Sequence, residues 1–255
     1  MGRPTLLALL AFVLFFASPL GSVADQIEYP ETIPLAIPVS PSENSIGDPS
    51  GKESAKVEGL PDIGFWMLDA KGRVANWLGI RAAGKRVAEP INVIVVDTVS
   101  PNSEAAKSRL EKALFDNGFP SRGGHSKGYS ALIGGQSSAE LLVGTRSTFS
   151  DGSFLSENDH GRIFGPFDTG KGFVFVAAFS RERPDVFRMQ HVLISFNVAR
   201  ENLAGALEAS GRYRIVGFVA LGNALFWSPN RTTWDHDGNA ILIEAERNAA
   251  PVGLD

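Results

Sequence analysis

The chain has 255 residues, a formal net charge of −4 at pH 7 and no cysteine. Nucleic acid and anionic membrane surfaces both select for basic patches, so this mild, dispersed acidity argues against nucleic acid or an anionic membrane surface as the main partner. The lack of cysteine excludes disulfides, thiolate metal ligands, a cysteine nucleophile and a lipid-modified cysteine anchor. Stability must therefore come from a packed core.

The first residues have the pattern of a secretory signal peptide, which we assign to residues 1–24. Arg3 supplies a positive charge, residues 6–17 are an unbroken apolar run, and Ser22-Val23-Ala24 offers small residues to a signal peptidase. Such a run forms roughly 18 Å of helix, too short for a hydrocarbon core of about 30 Å. We expect export to the periplasm or the extracellular space and no transmembrane span after cleavage, with a retained N-terminal anchor as the alternative.

Residues 25–59 are predicted to be a Pro-rich flexible arm, followed by a single globular domain over residues 60–255. Prolines at positions 30, 34, 38, 41 and 49 lie among Ser, Glu and Gly. Each proline removes a backbone donor and disfavours helix before it. The alternative is an extended arm lying on the domain, because apolar and other residues alternate from Ile33 to Val39.

The segment from Leu60 to Ile80 contains two aromatic clusters, one around Phe65-Trp66 and one at Trp77, on either side of a polar turn. Clusters of this kind usually close the edge of a core. An exposed aromatic patch for a partner is the alternative.

A buried strand followed by an amphipathic helix comes next. Apart from Asn92, residues 91–96 are apolar and β-branched, and after Ser103 apolar residues recur every three or four positions until Asn117-Gly118. The turn over residues 97–102 contains no glycine, so it is not a phosphate-binding loop. This pair of elements indicates the fold class more clearly than it indicates a function.

The second half of the chain is predicted to be mostly strand, with a second helix over Val198–Ala209 that has Asn197 as N-cap and stops at Gly211. Asp237-Gly238 is predicted to form a hairpin turn. These elements predict an α+β two-layer sandwich, a mixed or antiparallel sheet with about two helices packed on one face. The predicted strands are 129–133, 140–143, 162–164, 173–179, 191–194, 212–221 and 240–246.

Four segments resemble the LssY C-terminal domain family in their order along residues 90–221. They are Pro90-Ile91-Asn92-Val93, a leucine helix ending at Gly118-Phe119, Asp159-His160-Gly161-Arg162, and His191 leading to Arg200-Glu201. The family closes its helix on Gly-Trp and has aspartates where this chain has Ser195 and Asn197. The resemblance implies a fold and two notable histidines, His160 and His191, but no reaction.

The candidate catalytic residues are Asp159, His160, Arg162 and His191. The histidines are suited to act as bases or metal ligands, and Arg162 to clamp an anion. The alternative is that the histidines are structural and hydrogen-bonded at strand ends.

A divalent metal could also take His160 and His191 as ligands, or Asp235 and Asp237 in a calcium-like loop. A hairpin turn is the simpler interpretation of that loop. The sequence assigns no cofactor.

No Gly-x-Ser-x-Gly motif is present, which argues against the usual serine hydrolase. The leading hypothesis is an exported, non-catalytic protein that binds an unknown protein or an envelope component. The alternative is a hydrolase, phosphoester-specific or metal-dependent, that uses the four candidate residues.

Overall fold

The structure is a computed structural model that describes residues 48–123, 126–153, 155–185 and 190–247, without the side chains of residues 78–80. The predicted signal peptide and the arm as far as residue 47 lie outside the described residues. Two helices are described, α1 (Ser103–Asp116) and α2 (Phe196–Ala209). The described strands are β1 (Ser54–Ala55), β2 (Ile63–Gly64), β3 (Asn76–Ala82), β4 (Lys85–Ala88), β5 (Val93–Asp97), β6 (Ser121–Arg122), β7 (Ser130–Ile133), β8 (Gln136–Ala139), β9 (Thr148–Ser150), β10 (Asn158–Asp168), β11 (Phe173–Asp185), β12 (Gln190–Ser195), β13 (Tyr213–Ala220), β14 (Arg231–Thr232) and β15 (Asn239–Ala245).

A mixed sheet forms the centre of the fold, with strands in the order β13-β15-β5-β11-β10-β9-β6. Strands β15 and β5 are parallel, and the remaining pairs in this order are antiparallel. Strand β12 pairs with the second half of β11, beyond the stretch that pairs with β5. Both helices pack on one face of this sheet, so the predicted α+β class, with two helices on a mixed sheet, is confirmed.

The opposite face of the central sheet is also covered. A four-stranded sheet in the order β1-β2-β7-β8 packs there, and Ile63 and Ile133 meet Ile94 and Phe164 in a second core. The expected two layers therefore gain a third. Because β1 belongs to this sheet, the folded part begins before the predicted boundary at residue 60.

Helix boundaries follow from local chemistry. The side chain of Asn102 accepts a hydrogen bond from Ala105 N at 2.9 Å and starts α1, whose predicted apolar positions are fully buried. Helix α2 starts two residues earlier than predicted, because Ser195 rather than Asn197 is the N-cap and accepts from Val198 N at 2.9 Å. Each helix has 14 residues, and neither is long and apolar enough to cross a membrane.

A third, small sheet in the order β14-β4-β3 lies beside the central one. The predicted hairpin turn at Asp237-Gly238 is wrong: β13 and β15 do pair, but residues 221–238 form a long connection that contains β14. The aromatic clusters predicted to close a core edge do so, because Trp66 and Trp77 are almost fully buried. The exposed aromatic side chains lie elsewhere, among them Phe226 and Trp227.

Candidate functional site

Two histidines meet one glutamate between strands β10, β11 and β12. Nδ1 of His191 lies 2.6 Å from Oε1 of Glu182, and Nδ1 of His160 lies 3.4 Å from the same oxygen. The side chains of His191 and Glu182 are each 4% exposed, and that of His160 is 12% exposed. A carboxylate shared by two imidazoles is an arrangement that can store and move a proton.

Strand register brings these three side chains together. In the β10–β11 pair His160 lies opposite Ser180, and Asn158 lies opposite Glu182, so all four share one face. A bulge between Arg181 and Glu182 shifts the β12 pairing and sets His191 opposite Pro184, next to Glu182. The sequence predicted the two histidines, whereas Glu182 was missed.

Arg162 is on the same face but is held by its own partners. Its Nε lies 3.5 Å from Oε2 of Glu140, its Nη2 donates to the carbonyl of Ser126 at 2.8 Å, and its guanidinium stacks 4.3 Å from the ring centre of Tyr129. These contacts orient the guanidinium toward the protein. They weaken the role of anion clamp that the sequence suggested for Arg162.

Glu89, directly after β4, brings a further carboxyl to the surroundings of Arg162 and Glu182. Burial raises the pKa of Glu89 to about 7, with Glu182 adding to the rise and Arg162 opposing it. Burial likewise raises the pKa of Glu182, although the neighbouring His191 lowers it. The cluster therefore contains carboxyl groups that hold a proton more tightly than a surface glutamate does.

Asp159 does not join this cluster. Neighbouring residues of a strand point to opposite faces, so Asp159 lies on the helix side of the sheet while His160 lies on the other. There its Oδ2 accepts from Nδ2 of Asn202 at 2.6 Å and pairs with Arg181 at 3.2 Å. Burial, with repulsion from Asp151, raises the pKa of Asp159 to about 6, although Asn202 and Arg181 both act to lower it. Grouping Asp159 with the histidines is corrected for this reason.

Beside His191 the surface opens into a groove with a volume of about 220 Å³. Its lining is mainly apolar and includes Trp77, Val87, Leu193 and Trp234. Trp234 has a φ of 54°, a left-handed backbone conformation that is rare for a bulky residue, and its Nε1 donates to the carbonyl of Ile194 at 3.0 Å. Strained backbone of this kind is concentrated at binding and active sites.

The two aspartates considered as calcium ligands have structural partners instead. Asp235 accepts hydrogen bonds from the hydroxyl of Ser195 and from Phe196 N and so supports the start of α2. Asp237 pairs with the buried Arg200 through both carboxylate oxygens, at 2.6 and 2.8 Å. Burial would raise the pKa of Asp237, but Arg200 outweighs it and holds the pKa at about 2. Over the described ranges, no group of three or more His, Asp or Glu side chains is arranged to hold a metal ion.

Two motif residues of the LssY resemblance also have structural roles. Nδ2 of Asn92 donates to the carbonyls of Phe179 and Phe196 at 2.9 and 3.2 Å, and its Oδ1 accepts from Phe179 N. Arg200, besides its pairing with Asp237, donates to the carbonyl of Asn239 at 2.7 Å. These side chains join strands and helix ends, so in this structure they stabilise the fold.

Comparison of the chain with protein-family models, with curated proteins and with solved structures finds no match. The resemblance to the LssY C-terminal domain family therefore stays a prediction. Two members of the cluster, Glu89 and Glu182, were not singled out from the sequence. A signal for Glu182 was present, since it is a charged residue close behind the apolar run 173–179.

Proposed function

We propose that this chain is an exported binding protein that holds a small, mainly apolar group of an envelope component in the groove beside His191. The leader pattern at the N-terminus supports export. The groove supports binding, because an apolar pocket with a few convergent polar groups and shifted pKa values is the usual form of a ligand site. The observation that carries the proposal is this apolar lining, open to solvent, with His191 at its edge and Glu182 behind it.

A neutral aromatic probe tests the groove. We would titrate 4-fluorotoluene into the protein and follow its 19F linewidth, comparing wild type with Trp234→Ala and Trp227→Ala. Trp234 lines the groove, whereas Trp227 is 71% exposed and is not part of the lining. The expected result is a Kd weakened about fivefold or more in Trp234→Ala and unchanged in Trp227→Ala. Equal effects of the two substitutions, or no broadening with wild type, would contradict the proposal.

A second candidate function is hydrolysis of an ester or phosphoester, favoured by the one oxygen of Glu182 that both imidazoles contact. In that reaction a histidine takes a proton from water, the water oxygen bonds to the acyl carbon or the phosphorus, and the bond from that atom to the leaving oxygen breaks. The protonated histidine then gives its proton to the leaving oxygen, which departs as the alcohol. Glu182 would orient the imidazoles and stabilise the charge on the protonated one.

The test uses 4-nitrophenyl acetate and 4-nitrophenyl phosphate with Glu182→Gln, His160→Ala and Asp159→Asn variants. Removal of a general base or of its orienting carboxylate is expected to lower turnover about a hundredfold. Asp159→Asn is the matched control, since that carboxyl lies on the opposite face of the sheet. If all three variants retain wild-type turnover, or if wild type has none, the hydrolase candidate is wrong.

A further inference from the structure

A second cavity, of about 310 Å³, lies against the small β14-β4-β3 sheet and is lined by arginines. Asn76 lines this cavity while its neighbour Trp77 lines the groove, and Arg86 and Val87 divide in the same way. At these two places successive side chains of a strand point to opposite faces, and the cavity and the groove share no lining residue. The cavity is therefore a separate site.

Its lining is positively charged in a chain whose net charge is negative. Arg73, Arg86 and Arg231 are its cations, and Asp69 is its one anion. Asp69 is already saturated by Arg73, which reaches its Oδ2 through Nε at 3.0 Å and through Nη2 at 2.7 Å. Among the described residues, the lining contains no second carboxylate for Arg86 and Arg231, and the nearby charge of Asp48, outside the lining, acts on Arg231.

Strand register forces these two arginines together. Strands β14 and β4 are parallel, with Arg231 directly paired with Arg86. Like charges in direct cross-strand register destabilise a sheet. Arg231 is partly buried and its Nη1 donates to Oδ1 of Asn76 at 3.2 Å. Burial lowers the pKa of Arg231, and the charges of Arg86 and Arg73 lower it further, against the opposing effect of Asp48.

The guanidinium of Arg86 makes no hydrogen bond or ion pair with the part of the chain that the structure describes, and its side chain is exposed at the cavity. An arginine pair that repels, with one partner unengaged and a cavity between, is suited to an oxyanion that bridges the two guanidinium groups. We propose that this cavity binds a phosphoryl group, carried either by a soluble phosphomonoester or by a lipid headgroup.

The test compares thermal unfolding in sodium phosphate with unfolding in sodium chloride of equal ionic strength, for wild type, Arg86→Gln and Arg214→Gln. Arg214 is the matched control, a 52% exposed arginine that pairs with Glu244 on β15. Phosphate is expected to raise the Tm of wild type and of Arg214→Gln, and to have little effect on Arg86→Gln. In chloride, Arg86→Gln should be at least as stable as wild type, because one member of the repelling pair is gone.

The binding constant for inorganic phosphate, measured by NMR of the arginine Nε resonances, should weaken about tenfold or more in Arg86→Gln. The proposal would be overturned if phosphate raised the Tm of all three proteins equally, or if it neither raised the Tm of wild type nor bound to it. The source would be a lipid headgroup if wild type floats with vesicles of phosphatidylglycerol but not with vesicles of phosphatidylcholine, and if Arg86→Gln no longer floats with either. Phosphate binding without flotation would identify a soluble phosphomonoester.

Discussion

Replacing Glu89 with Gln tests whether the charged cluster stores a proton. The pKa of this carboxyl is about 7 in the fold against 4.5 for an ordinary glutamate. A folded pKa above the unfolded one means that the native state binds the proton more tightly, so stability is greatest below about pH 4.5 and is lost as the pH rises through about 7. Each tenfold step in proton affinity is about 1.4 kcal/mol, so the ionised carboxylate destabilises the fold by at most about 3 kcal/mol well above pH 7, and by less to the extent that water reaches this half-buried side chain.

Glu89→Gln keeps the shape of the side chain and removes the ionisation. We expect the variant to be more stable than wild type by less than about 1 kcal/mol at pH 5 and by about 2 to 3 kcal/mol at pH 8, as measured by urea unfolding. Fluorescence of the buried Trp66 and Trp77 reports unfolding. Glu58→Gln, a neutralised glutamate on the surface, is the control.

The quantity compared is the difference in free energy of unfolding between variant and wild type at each pH, because other groups titrate in the same range. Burial lowers the pKa of His236 to about 3, so its contribution has the opposite sign and is lost as the pH falls below about 6.5. The reasoning about Glu89 would be refuted if Glu89→Gln raised the free energy of unfolding equally at pH 5 and pH 8, or by no more than Glu58→Gln does.

Three further substitutions test the structural assignments, each by urea unfolding at pH 7. Arg200→Met leaves the carboxylate of Asp237 without its partner and should cost about 1 to 3 kcal/mol, less than for a fully buried pair because the side chain of Asp237 is 39% exposed and water screens its charge. A second change, Asp237→Asn, should restore part of this loss, and full additivity of the two changes would contradict the pairing. Asn92→Ala removes three hydrogen bonds to buried backbone and should cost about 2 to 3 kcal/mol, and a loss below about 1 kcal/mol would show that water replaces the amide. Ser195→Ala should lower the free energy of unfolding by about 1 kcal/mol, and by more than Asn197→Ala does, since Ser195 is the N-cap of α2. A larger loss in Asn197→Ala would restore Asn197 as the N-cap.

The sequence by itself predicted the two helices and most of the strands, because these depend on short-range patterns. Apolar residues at three- and four-residue spacing are the buried positions of α1, and the apolar run 173–179 is the buried half of β11. Where a prediction failed, a tertiary contact determined the local structure. Asp235, distant in sequence, supports Ser195 as the N-cap of α2, and β14 occupies the connection predicted as a tight turn.

The meeting of charged groups was decided by the tertiary structure alone. Asp159 and His160 are adjacent in sequence yet lie on opposite faces of the sheet, whereas His160, Glu182 and His191 come from three strands and meet at one oxygen. The same holds for Arg86 and Arg231, which are paired by a parallel strand register. A local pattern determines which face of its own element a residue occupies, but strand order, register and the bulge in β12 determine its partners, and these depend on packing over the whole domain.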